Sequence, residues 1–347
     1  MNSTAAKPAV SVVIPTHNPR MDFLARVLDA LKQQTLPRER WELLVVDNGS
    51  REPLEASERS HCDRDNFDIS KDTDDSGDNV KISKSQIEPV HLDLSWHPHA
   101  RVVREERVGL TAARLRGFAE TKGELIVLVD DDNVLDADYL KEAVKIAGEF
   151  PFLGSWSGQA ILKFEDPALQ PPEMLRSLLL ERHLDRDYWS NDRHHTKSDP
   201  YGAGMCVRRV VADAYARRLT TEPKRMEMDL SGDNLLYGGD LDLAFAGLDI
   251  GLGKGSFQRL NFTHLIPKSR CSMDYLMRAA EGHSHSEVIA AWLNGDRPPR
   301  GDATFTAKVL RWLRGLIHGT VYREFWKARH RGMVRAGEML KAEKLKR

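Results

Sequence analysis

The chain has 347 residues, 41% of them hydrophobic and 30% charged, which supports a sizeable core and excludes a wholly disordered protein. Lys plus Arg (51) nearly cancels Asp plus Glu (52), and the formal charge of −1 argues against a surface devoted to nucleic acid. Cys62, Cys206 and Cys271 are far apart and form no C-x-x-C, which excludes a disulfide framework and a zinc ribbon and points to a reducing compartment.

Residues 1–9 show no basic segment followed by an apolar one, so no signal peptide is expected. No stretch approaches the ~18–20 apolar residues of a transmembrane helix. Residues 10–15 (VSVVIP) read as a buried strand, and 21–34 as a helix with Phe23, Leu24, Val27, Leu28 and Leu31 on one face. Residues 41–47 (WELLVVD) form a second strand. Both strands are almost continuously apolar, the pattern of a parallel sheet covered on two faces. Residues 51–88 are polar and acid-rich and read as a mobile insertion. Asp72, Asp74, Ser76 and Gly77 faintly resemble a calcium loop, but Ser83 holds the place of its bidentate Glu, so a solvated loop is expected.

Order returns near Val90. A helix is expected at 108–121, a third strand at 124–130 (ELIVLVD), a helix at 138–150, a strand at 152–162, a helix at 173–184 and a helical face within 235–253. Residues 301–347 hold 12 Lys or Arg against four acids, interleaved with Phe305, Val309, Leu310, Trp312, Leu313, Leu316 and Ile317. Two readings stand: a basic amphipathic tail on an anionic membrane surface, or a terminal helical hairpin packed on the domain.

Asp130-Asp131-Asp132 ends the third strand, where open parallel sheets place their ligands. Three adjacent carboxylates repel one another unless a cation sits among them, and hard oxygen donors suit Mg²⁺ or Mn²⁺ shared with a substrate phosphate. The turn after the first strand, Pro15-Thr16-His17-Asn18-Pro19, has no glycine, so it is not a dinucleotide fingerprint; a P-loop is absent too. A nucleotide would then rest its diphosphate on a metal.

Several elements in order carry a family resemblance: VSVVIPTHNP, LLVVDNGS, VGLTAARLRGF, LIVLVDDDNVLDADYL, GAGMCVRR, YGGDLDLAFAGLDIG and THLIPKSR. Over about residues 10 to 285 the chain resembles the GT-A glycosyltransferases of family 2. The resemblance implies an α/β, Rossmann-like, mostly parallel sheet flanked by helices. The expected organisation is a GT-A domain at 8–285, interrupted at 51–88, and a basic helical tail at 286–347.

The resemblance also implies roles. Pro15, Thr16, Asn18, Asp47 and Asn48 would hold the nucleoside, and Arg114 would contact the nucleotide. Asp130 would touch the ribose or metal, and Asp132 would bind the metal. Asn133 stands where many relatives carry a further Asp. His264 would complete the metal or diphosphate site, or else be a core histidine; Arg270 would reach a phosphate, or else lie on the surface. The family's base comes from an acidic pair late in the domain; Asp240 is the candidate here and Asp242 the reserve, with Gly239 in place of the usual first acid. Trp156, Trp189 and Tyr201 are candidate acceptor platforms, while His194-His195 reads as solvated loop. The implied activity is an inverting, metal-dependent transfer from a nucleotide diphosphate sugar to a hydroxyl of a glycan or lipid-linked acceptor. The implied place is cytoplasmic, with peripheral contact at the inner membrane face. A nucleotidyltransferase and a non-catalytic nucleotide-sugar module are the competing readings. The former is disfavoured because PTHNP is not a glycine- and lysine/arginine-rich loop.

Overall fold

The computed structural model describes residues 8–57, 88–231, 234–296 and 305–344. The apolar run at the start becomes β1 (Val10–Thr16), buried along its whole length. α1 (Met21–Lys32) buries Phe23, Leu24, Val27, Leu28 and Leu31, the face that the helical spacing predicts; each such side chain contributes roughly 1.5–3 kcal/mol. The chain then enters β2 (Trp41–Asp47), parallel to β1, with Thr16 opposite Asp47. β3 (Leu54–Ala56) and β4 (Val90–Leu92) pair on either side of residues 58–87. Most of the expected insertion, with its calcium-like run, lies outside the described residues. β5 (Ala100–Arg104) extends the sheet beyond β2, and α2 (Leu110–Glu120) carries the chain back to β6 (Leu125–Leu128) on the other side of β1. The order β5-β2-β1-β6 puts a topological switch point between β1 and β6.

The second half follows as β7 (Asn133–Leu135), α3 (Tyr139–Glu149), β8 (Leu153–Phe164), α4 (Glu173–Arg176), β9 (Tyr188–Ser190), β10 (Cys206–Arg208) and α5 (Arg209–Thr221). After it come β11 (Asp229–Ser231), β12 (Asn234–Tyr237), α6 (Gly239–Asp249) and β13 (Gly253–Ile266). In the main sheet β1, β2, β5, β6, β8 and β13 share one direction, while the short β7, β9 and β10 run against their neighbours. The expected mostly parallel α/β sheet is therefore present. Alternation along β1 sends Val10, Val12 and Ile14 to a core shared with α1 and α3, and Val13 to one shared with α2, α5 and α6.

Two expected helices are shorter than their sequence pattern. Residues 173–184 make only α4 and a 3-10 turn, because Leu175, Leu178 and Leu179 turn into a core with Ile266 and Leu276, and Arg182 bridges back to Ala160. Within 235–253 the first residues belong to β12. The 14-residue β13 was not apparent in the sequence, since Lys254 and Ser256 interrupt its apolar pattern although both are buried.

The chain continues through a 3-10 turn (Lys268–Cys271) into α7 (Met273–Leu293) and then α8 (Phe305–Lys344), the latter broken at Gly319 (φ 77°). The expected domain boundary at 285/286 falls inside α7. Ala328, Gly332 and Ala336 of α8 are buried at four-residue spacing, and this column of small residues lets α8 lie close on α7. The 320–341 part thus follows the packed-hairpin reading; the side chains of 305–316 lie outside the described ones. Among the described residues no helix is long and apolar enough to cross a membrane.

A β-carbon at Gly332 would overlap the Glu281 carbonyl, whereas one at Gly337 meets nothing within 4 Å. Gly332→Ala is expected to cost ~1–3 kcal/mol in urea unfolding, and Gly337→Ala to gain ~0.5–1 kcal/mol through higher helix propensity. Equal effects from the two would contradict this packing.

Candidate active site

The like-directed strands deliver Thr16, Asp47 and Asp130 to one end of the sheet, beside the switch point. Short polar bonds tie the loops there. Asn48 donates to the Arg107 carbonyl (2.7 Å) and accepts from the Gly109 N–H (2.7 Å). His17 Nδ1 lies 2.7 Å from the Asn48 carbonyl. Asn18, in the left-handed region (φ 49°), donates its N–H to Ser50 Oγ and accepts from the Arg51 N–H, both at 2.9 Å. Pro15 and Thr16 are buried and Asn18 is exposed. Asp47 is fully buried and accepts from the N–H groups of Ser50 (3.0 Å) and Leu54 (3.2 Å) and from Arg104 (2.6 Å). Burial pushes its pKa up, but these hydrogen bonds and the Arg104 charge prevail and leave it below the usual value. Its oxygens thus shape the loop that would carry a nucleoside.

The triple acid sits in a turn closed by the Asn133 N–H on the Asp130 carbonyl (3.1 Å). Thr16 Oγ1 donates to Asp131. Antiparallel pairing of β7 with β13 sets His264 opposite Asn133, and His264 Nε2 comes 3.4 Å from Asp132 Oδ2. Arg270 donates to the same oxygen at 3.0 Å. Burial and then the Asp132 charge push Asp130 up to about 6, against the opposing pull of Arg114. Burial and Asp132 raise Asp131 likewise. Burial would raise Asp132 as well, but His264 and Arg270 outweigh it and hold that carboxyl low.

The donor set fits a hard divalent cation. His264 Nδ1 faces the Leu179 carbonyl at 2.9 Å and Nε2 faces Asp132; with a cation bound, a proton on Nδ1 would leave the Nε2 lone pair for the ion. Asn133, on the same sheet face as His264, is fully buried, and neither atom of its amide has a hydrogen-bond partner. Asp132 and His264 are the residues that would hold the ion. Among the described residues no group of three or more His, Cys, Asp or Glu is arranged to ligate a metal by itself, so substrate or water would have to complete the shell.

Asp240, in the first turn of α6, reaches the same region: its charge, with that of Arg114, acts on Asp130. Its Oδ1 lies 2.6 Å from Arg114, and its Oδ2 accepts the Gly202 N–H at 2.8 Å. Asp242 is two residues along, on another face of α6. It is buried against Arg225 (2.5 Å) and Arg218 (3.6 Å) as a structural ion cluster, while Asp240 keeps a third of its side chain exposed. Arg114, expected on the nucleotide, is buried against Asp240.

Trp156 is fully buried and offers no platform. Trp189 is 49% exposed but sits on β9 at the far end of β13. Tyr201 adjoins Gly202 and stacks on the Arg182 guanidinium, 4.5 Å from its ring centre. His194 is exposed, and His195 lies 3.0 Å from Ser198 in the same loop. Sequence reasoning gave no role to Gly202, Arg182 or the buried Lys254–Asp199 pair; the Gly202-x-Gly204 spacing was the one available signal.

The sequence profile described as Glycosyl transferase family 2 matches residues 11–77 and 73–186, together half of the chain. The chain belongs to glycosyl transferase family 2. The matched span holds the loops after β1 and β2, Arg114 and the triple acid. Asp240 and His264 lie beyond it. The family member is similar to the "Glycosyltransferase AglE" of Haloferax volcanii, 26% identical over 141 residues (41% of this chain, 36% of that protein). It is also similar to an "N-acetylglucosaminyltransferase" of Bradyrhizobium diazoefficiens, 22% identical over 201 residues (57% of this chain, 33% of that protein). The chain thus spans about a third of the length of these relatives. Among solved structures, S. aureus TarS 1-349 in complex with UDP-GlcNAc aligns over 82% of this chain and 71% of its own, with 13% identity and a TM-score of 0.43.

The raised Asp130 fixes the sign of a pH effect. Its folded pKa lies above the ordinary 3.8, so its contribution to stability is complete below that value and is lost as pH rises through about 6. A cation among the carboxylates would remove this loss. Replacing EDTA by Mn²⁺ is therefore expected to raise the melting temperature more at pH 8 than at pH 5, by differential scanning fluorimetry. An equal shift at both values would show that the cation does not act on the Asp130 carboxyl.

Proposed function

We propose that this chain is an inverting glycosyltransferase that moves a sugar from a nucleoside diphosphate sugar to an acceptor hydroxyl. The single observation that supports this best is the convergence of the triple acid, His264 and Asp240 at the switch-point end of the sheet. Thr16, Asn18, Asp47 and Asn48, with Pro15 beneath, form the nucleoside side, and Asp130 faces the ribose. Mn²⁺ or Mg²⁺ held by Asp132 and His264 would neutralise charge on the departing diphosphate. Arg270, already beside Asp132, adds a fixed positive charge for the same oxygens. Asp240 takes the proton of the acceptor hydroxyl as that oxygen attacks the anomeric carbon, and the nucleoside diphosphate leaves from the opposite face. Tyr201, pinned on Arg182 next to Gly202, offers its ring to the acceptor sugar.

The acceptor is a glycan or lipid-linked glycan, and the chain works at the cytoplasmic face of a membrane. Arg323, Lys327, Arg331 and Arg335 form an exposed basic column on α8, and Ile317 is 79% exposed; both favour contact with anionic lipid.

The test is release of nucleoside diphosphate from UDP-glucose, UDP-galactose, UDP-N-acetylglucosamine, GDP-mannose and dTDP-rhamnose, with Mn²⁺ and with EDTA. Turnover of at least one, dependent on the cation, is expected; binding without release would make the chain a non-catalytic module. Asp240→Asn should lower kcat by about 10²–10⁴-fold while the sugar nucleotide still raises the melting temperature. Asp132→Asn should lose both turnover and the Mn²⁺-dependent part of that rise.

A further inference from the structure

A carboxylate serves as a base only when it is held so that one lone pair meets the incoming hydroxyl. Asp240 is held from two sides. The Arg114 guanidinium of α2, itself only 3% exposed, lies 2.6 Å from Oδ1, and the Gly202 N–H donates to Oδ2 at 2.8 Å. With one contact on each oxygen, the carboxyl plane is fixed; Oδ1 is buried, so the lone pair left for an incoming hydroxyl is on Oδ2.

The Gly202 N–H is itself anchored. The turn closes by Met205 N–H on the Gly202 carbonyl (3.1 Å), and the Met205 carbonyl accepts from Leu128 of β6 at 2.8 Å. Tyr139 of α3 donates to the Gly204 carbonyl at 2.6 Å, and Ser157 of β8 accepts the Tyr201 N–H at 2.9 Å. Gly204 takes a left-handed φ of 68°. The same β6 that leads into Asp130-Asp131-Asp132 thus fixes the donor to Asp240. Glycine at 202 has a steric reason: a β-carbon there would overlap the carboxyl carbon and both oxygens of Asp240.

We propose that Arg114 and Gly202 form a two-point clamp that positions the Asp240 carboxylate relative to the triple acid, and that Arg114 serves the reaction through this contact rather than by binding the nucleotide. Both are positioning residues, and the proposal rests on the reading of Asp240 as the base. A nucleotide contact would act on donor affinity. A clamp on the base acts on the chemical step and has nothing to act on once the base is gone.

The experiment measures kcat and donor KM for Arg114→Gln, Arg114→Lys, Gly202→Ala, Asp240→Asn and the double variant Arg114→Gln/Asp240→Asn. The substrate is whichever sugar nucleotide of the panel above the unaltered chain turns over fastest, with Mn²⁺. Arg114→Gln and Gly202→Ala should each lower kcat by about 10²-fold or more with donor KM within about threefold. Arg114→Lys should recover part of the Arg114→Gln loss. The double variant should be no slower than Asp240→Asn alone, because residues that act as a unit are not additive. Melting curves with and without the sugar nucleotide identify any variant that fails to fold; the Arg114 pair and the double variant then decide. Raised donor KM at unchanged kcat in Arg114→Gln, or a further loss of kcat in the double variant, would overturn the clamp while leaving Asp240 as base. Full turnover by Asp240→Asn, or no turnover of any panel member, would remove the base reading and the clamp with it.

Discussion

Three carboxylates in succession at the end of a buried strand are the constraint to which the surrounding structure answers. Asp130, Asp131 and Asp132 follow β6 at the point where the strand order reverses, and burial there penalises every negative charge. Neighbours of opposite sign or with hydrogen to donate come from every side: Thr16 to Asp131, His264 and Arg270 to Asp132, and the Arg114 charge towards Asp130. The result is unequal. Asp132 keeps its charge, while Asp130 and Asp131 hold their protons more tightly than isolated carboxyls. A divalent cation placed among these carboxylates would relieve the repulsion between them.

The segment that leads into the Gly202 turn is held by polar groups that have left water and found partners. Lys254, wholly buried in β13, pairs with Asp199 and donates to the Arg193 carbonyl at 3.1 Å. Arg182 donates to the Asp199 carbonyl (2.8 Å), the Lys197 carbonyl (2.9 Å) and Ser256 Oγ (2.6 Å) while carrying the Tyr201 ring. Such groups add little net stability, since desolvation offsets most of their attraction, yet any one partner left alone is costly. They therefore define one arrangement of the 182–202 segment on the sheet. That segment ends in the Gly202 turn, so its order reaches Asp240 directly.

The two last helices are tied to the same place. α7 follows the turn that holds Arg270, and its His283 feels the charges of both Asp240 and Arg329 on α8. Burial lowers the His283 pKa to about 4, so its imidazole is neutral near pH 7. The column of Ala328, Gly332 and Ala336 packs α8 on α7, while Arg323, Lys327, Arg331 and Arg335 stay outside. One helix thus serves the interior and presents basic charge to the exterior.

Local patterns in the chain were enough to place the first sheet strands and the acids at their ends. Continuous apolar runs make covered strands, and a polar residue that breaks such a run marks the strand's end, where α/β sheets carry their ligands. Thr16, Asp47 and Asp130 could be read in this way, as could the buried face of α1. The sequence ranked Asp240 above Asp242, but their different surroundings could not be read, because two acids in the first turn of a helix look alike until α2, α5 and the Gly202 turn pack around them. Trp156 and Trp189 are equally alike on paper, and only sheet register buries one and exposes the other. β13 stayed hidden because the charge of Lys254 is neutralised by Asp199, which the chain brings from another segment. The sequence by itself determined periodicity, strand ends and the crowding of like charge, since these depend on neighbours along the chain. The tertiary structure alone decided which charge meets which, since a partner distant in the chain is chosen by how the sheet and helices pack.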